Sequence, residues 1–138
     1  MIWWTLVNSL FEHLLSELVG VSVQLGLDGA TPDGLQVNIV RGAADDDWFD
    51  LERPAGTQQL FLEVWASHAE TAARYAALSD LEDRLQTALL AWAGTKSVRV
   101  MTLRMQHEPD RDVFAPAVMN EWALKVTWQR AQIDWAYQ

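Results

Sequence analysis

The sequence predicts an α+β fold, an antiparallel or mixed sheet of about five strands with two helices on one face, in the order α-β-β-β-α-β-β. Three observations predict it. Residues 60–65 alternate with the two-residue period of a strand and are apolar on both sides around Phe61 and Trp65, which places them inside a sheet. From Ala69 to Trp92 the apolar residues fall at helical spacing, giving a helix of roughly 24 residues, about 36 Å long and able to cover a small sheet. The remaining apolar runs are short, alternating and separated by turn-rich segments.

The elements follow in order. Residues 2–19 form an amphipathic helix with Trp3, Leu6, Val7, Leu10, Leu14 and Leu18 on one stripe, and Gly20 ends it. Trp4, Phe11 and Leu15 widen the stripe, as a broad core face or as a second buried surface such as a subunit contact. Val21, Val23 and Leu25 make the first strand, and Leu35, Val37 and Ile39 the second, across a turn-rich loop from Gly26 to Gly34. From Gly42 to Gly56 periodicity is lost and acidic residues gather, so this segment is read as a long loop. The interior strand follows, and Ser67-His68-Ala69-Glu70 reads as a capping box opening the long helix, with Gly94 as its stop.

After Gly94, Val98 and Val100 give way to Met101, Leu103 and Met105, a change of phase that predicts a β-bulge near Val100–Met101 or a strand apolar on both sides. His107 to Pro116 is a second loop. Trp122, Leu124, Val126 and Trp128 define the last strand, and residues 131–138 form an extended arm. The whole of 1–138 is read as a single domain.

Composition narrows the function. Half of the 138 residues are hydrophobic and eight are Trp, so the chain can bury a core and is not a disordered segment. Ten basic against nineteen acidic residues give a net charge of −9, which disfavours specific nucleic-acid binding and anionic membranes. There is no cysteine, which excludes disulfides, thiolate metal sites and Cys nucleophiles. The apolar start lacks a basic flank and is interrupted by Asn8, Glu12 and His13, so it is read as neither export signal nor membrane span.

Chemical motifs are sparse. No glycine-rich loop ends in Gly-Lys-Ser or Gly-Lys-Thr, and no Ser sits in a nucleophile elbow. His13 and Glu17, one helical turn apart, are two ligand types without a third. The strongest cluster is Asp45, Asp46, Asp47, Asp50 and Glu52 around Trp48 and Phe49. It is not a calcium loop, because its sixth position is Asp50 rather than Gly and its twelfth is Gly56 rather than Glu. Adjacent exposed carboxylates lack the burial that separates pKa values for acid–base work, so the chain is read as a non-enzyme without metal or cofactor. The cluster is either a solvated loop or an acidic surface for a partner. Trp65, Trp92, Trp122 and Trp128 suit a core, whereas Trp3, Trp4, Trp48 and Trp135 are candidate interface anchors.

The succession of amphipathic helix, meander with an acidic loop, Leu60-Phe61-Leu62-Glu63-Val64-Trp65-Ala66 entering a helix through Glu70-Thr71-Ala72, and two closing strands resembles the phage tail-terminator (tail-completion) family from about Leu6 to Arg130. That resemblance implies a structural virion protein made in the host cytoplasm and placed in the tail or neck. Such a protein forms a ring, usually hexameric, on the last ring of tail-tube protein, ends elongation and meets the neck or head-completion protein. DNA passes through the lumen without being held, which suits an acidic rather than a basic wall. The Asp45–Glu52 segment is then expected to face tube or lumen. Two other classes stay open: an acidic immunity- or antitoxin-like module covering a basic partner, and a small-molecule enzyme of α+β fold, which would need a pocket lined by residues such as His68, His107 or Glu108 that the sequence gives no reason to group.

Overall fold

Leu60, Leu62, Val64 and Ala66 are all buried, and the strand that carries them has a full partner on each side, so this run is the centre of the sheet. The computed structural model describes residues 2–26, 33–47, 55–93, 99–107, 111–114 and 116–129. Its elements are α1 (Ile2–Glu17), β1 (Ser22–Leu25), β2 (Gln36–Asp47), β3 (Ala55–Ser67), α2 (Thr71–Ala93), β4 (Arg99–His107), β5 (Arg111–Phe114) and β6 (Ala117–Gln129). The sheet order is β1-β2-β3-β6-β4, with β5 also paired to β6. β1 runs parallel to β2 and every other pairing is antiparallel. The α+β class and the order of the seven expected elements, α1, β1, β2, β3, α2, β4 and β6, agree with the sequence reading. β5 is additional, inside the segment read as a loop from His107 to Pro116.

Both helices lie on one face. β2 contributes Val37 and Ile39, β3 Leu60, Leu62, Val64 and Ala66, and β6 Val118, Trp122, Leu124 and Val126 to a single core with both helices. Cross-strand pairing puts these on one side, since Leu62 lies opposite Ile39 and Trp122, and Leu60 opposite Leu124. From α1 come Leu6, Val7, Leu10, Leu14 and Leu18, the stripe read from the sequence; α2 adds Leu78, Leu81, Leu85, Leu89 and Trp92. Burying a Leu or Val side chain contributes about 1.5–3 kcal/mol each, so this layer contact is the main source of stability.

Gly20 has φ 81°, which only glycine adopts without strain, and it closes the turn after α1 where Val21 N–H donates to Leu18 O. Arg84 on α2 donates to Val19 O at 2.7 Å and satisfies a carbonyl beyond the helix end.

Three sequence expectations change. The capping box does not form. Ser67 is the last residue of β3, paired with Ala117, so its backbone belongs to the sheet. Glu70 accepts the first helical bond from Arg74 N–H, while His68 Nδ1 accepts from Glu70 N–H, and α2 starts at Thr71. The acidic loop begins later than expected, because residues 42–47 continue β2. Trp65 is buried, as its place in an interior strand suggests: it is only 7 % exposed and clusters with Ala117 and Met119. β6 starts at Ala117 rather than near Glu121. The bulge on β4 is where the change of phase puts it, between Val100 and Thr102. Gly94 and the arm 131–138 lie outside the described residues.

Candidate functional site

The acidic segment is built on a two-stranded ribbon. Past Arg41, β2 gains an extra residue, so Gly42 and Ala43 stand against Gln59 alone and pairing resumes at Ala44 opposite Gln58. Gly42 is required at this bulge. A Cβ there would lie 2.8 Å from Phe61 Cε2 and 3.0 Å from Gln59 Cβ. Gln58, fully buried, donates to Gly42 O at 3.1 Å and to Gln59 O at 2.7 Å, tying the bulge to β3. Beyond it Asp45, Asp46 and Asp47 pair with Thr57, Gly56 and Ala55.

The three aspartates are therefore fixed in a backbone ladder, not carried on an irregular loop. The ladder extends across the sheet, since Ala55 pairs with Gln129 and Gln129 with Arg99. Asp has poor strand propensity and the bulge breaks alternation, so the apolar period gave no sign of this strand. Trp48, Phe49, Asp50 and Glu52 lie outside the described residues.

The other candidates sit on α1. Trp3 belongs to its first turn, with its side chain outside the described set. Trp4 is 44 % exposed and borders a cleft of about 550 Å³ between α1 and α2, with Asn8, Glu12, His13 and Trp92. A Ser, a His and a Glu in one cleft invite a catalytic reading, but the hydrogen bonds give them another task. His13 Nε2–H donates to Ala88 O at 2.7 Å, and Ser9 Oγ accepts from Trp92 Nε1–H at 3.1 Å. Both bonds fasten one helix to the other. Among the described residues no three His, Asp or Glu side chains are grouped to hold a metal, and no helix is long and apolar enough to cross a membrane.

Sequence reasoning missed two polar devices. Under α2, Glu82 Oε2 accepts from both Asn120 Nδ2 and Trp122 Nε1, each at 2.7 Å. Trp122 is nearly fully buried, so its N–H needs this acceptor. On the open face, Gln36 donates to Asn38 Oδ1 at 2.7 Å, and Asn38 and Trp65 both donate to Glu63 Oε1 at 3.1 and 3.3 Å. These residues are cross-strand neighbours, Gln36 opposite Trp65 and Asn38 opposite Glu63. The alternation of Gln36 and Asn38 with Val37 and Ile39 was visible in the sequence. Their burial depends on what lies over that face, which one strand's pattern does not carry.

No family model matches the sequence, and no curated protein matches it. Among solved structures, a chain of a virion of a native gene transfer agent particle is similar in fold. The TM-score is 0.51 at 16 % identity, over 90 % of this chain and 94 % of that one. Coverage is nearly complete in both directions, so the likeness concerns the whole arrangement of helices and sheet. At this identity it shows the fold alone.

Proposed function

We propose that this chain is a non-enzymatic structural protein of a phage-like particle. In it the chain closes the end of a tail tube as a hexameric ring and offers a joining surface to the neck or head-completion protein. The observation that carries the reading is the whole-chain likeness in fold to a chain of a gene transfer agent virion. The resemblance of the element pattern to tail terminators narrows it to the tail end. The acidic ribbon suits a wall past which DNA moves without being held, because few cations are there to displace counterions. Assembly in the host cytoplasm and residence in the tail or neck follow from the same reading.

The test is light-scattering mass across a concentration series, with negative-stain images, alone and with purified tail tubes. A ring with a central hole, near six times 15.6 kDa or about 94 kDa, or a ring seen only on tube ends, supports the proposal. A monomer that binds neither itself nor tubes, but binds one basic protein tightly, favours the immunity-like module suggested by the net charge of −9.

A further inference from the structure

We propose that Asp33 is a site of spontaneous covalent modification, isomerising to isoaspartate through attack of the Gly34 backbone nitrogen on its side-chain carboxyl group. The inference is independent of the assembly reading above.

Three observations carry it. First, Asp33-Gly34 is one of two Asp-Gly steps in the chain, and the chain has no Asn-Gly. Glycine places no side chain beside its own nitrogen, so that nitrogen can approach the carboxyl carbon of the residue before it. The other step, Asp28-Gly29, lies outside the described residues. At Gly34 the fold itself demands glycine, because φ is 102°, which a residue with a side chain adopts only with strain.

Second, nothing among the described residues restrains the pair. Asp33 is exposed, and a Cβ built on Gly34 would meet no atom within 4 Å. No hydrogen bond among the described residues holds the Asp33 carboxyl or the Gly34 N–H.

Third, regular structure protects the residues that could compete. Asn8 lies within α1, and Asp80 and Asp83 within α2, where the following N–H is bonded one turn back and the backbone torsions are fixed. Asn38 and Asn120 are buried in the sheet, and Asp45 and Asp46 belong to the β2–β3 ladder.

The step balances without any added reagent. The Gly34 nitrogen bonds to Asp33 Cγ, the carboxyl hydroxyl leaves as water with the amide proton, and a cyclic succinimide closes. Water then adds at the main-chain carbonyl carbon of Asp33 and the bond from that carbon to nitrogen breaks. The chain now runs through Cγ, one carbon longer, with a free α-carboxylate and unchanged mass. The insertion falls just ahead of β2, where Leu35 O accepts from Ser22 N–H at 3.0 Å and Ser22 pairs with Gln36. It therefore disturbs the hydrogen bond that starts β1 on β2.

The test ages the purified, folded protein for weeks at neutral pH and physiological temperature. Isoaspartate is read with an isoaspartyl carboxyl methyltransferase and labelled S-adenosylmethionine, then located by fragmentation mass spectrometry that tells the two isomers apart. The expected result is label at Asp33 that rises with time, preceded by a species lighter by one water. Asp33→Glu, which would need a larger ring, loses that label. Asp33→Asn, which closes the same ring by releasing ammonia, is modified faster. In the modified fraction the Ser22 N–H exchanges about threefold to tenfold faster, as loss of one hydrogen bond at a strand end requires. Label confined to other aspartates would overturn the proposal. So would an Asp33→Asn variant that stays unmodified while folded, because the native backbone would then hold the Gly34 nitrogen away from Cγ. Unchanged Ser22 exchange in the modified fraction would overturn the link to β1.

Discussion

Gly42 and Glu82 show how much of this fold rests on single side chains that no apolar pattern marks. At Gly42 the nearest atoms to an added Cβ belong to Phe61 and Gln59, and one of them is backbone. Gly42→Val is expected to lose about 1–3 kcal/mol, as overpacking does, and to lower the thermal midpoint by several degrees in calorimetry. Glu82 accepts two hydrogen bonds from Asn120 and Trp122. Glu82→Ala leaves both donors unmet and is expected to cost about 2–4 kcal/mol in urea unfolding, whereas Glu82→Gln keeps an acceptor and costs less. If the two substitutions are equally mild, the Glu82 anchor is not structural.

Among the elements, the two helices are linked by directional bonds as well as by Leu packing. Trp92 is fully buried and its N–H reaches Ser9, so Ser9→Ala is expected to cost about 1–2 kcal/mol. Loss of this bond should also shift the tryptophan emission, a change that surface serines such as Ser79 would not produce. The β2–β3 ribbon behaves differently. Its distal residues Asp45–Asp47 are held by ladder pairing to β3, which is itself paired along its whole length to β6. Replacing all three by Asn keeps that backbone ladder and nearly the same side-chain volume, and is therefore expected to leave the thermal midpoint within about 2 °C.

For the whole molecule, that insensitivity becomes useful. If the ribbon faces a tube or lumen, the Asp45→Asn, Asp46→Asn, Asp47→Asn variant folds normally yet alters tail joining or DNA passage in a complementation assay. Wild-type joining and passage by the folded variant would count against the ribbon's role.

The sequence by itself determined the α+β class, the stripe of α1, the span of α2 to within two residues, the central place of β3 and the bulge in β4. Each of these is a periodic signal, written wherever one face of an element is buried and the other is not. What only the tertiary structure decided is where periodicity is silent. The strand through Asp45–Asp47 exists because β3 offers it a ladder, and β5 because β6 does. The N-terminus of α2 was set by competition: Ser67 is a good cap, but its backbone is worth more to the sheet, so His68 caps Glu70 N–H and the helix opens two residues later than expected, at Thr71. Trp65 suits a core in sequence, but a strand's pattern does not say which sheet face hides it, and the structure sets it beside Met119. Side chains of one type are sorted by neighbours far along the chain, and those neighbours are fixed only when the layers close.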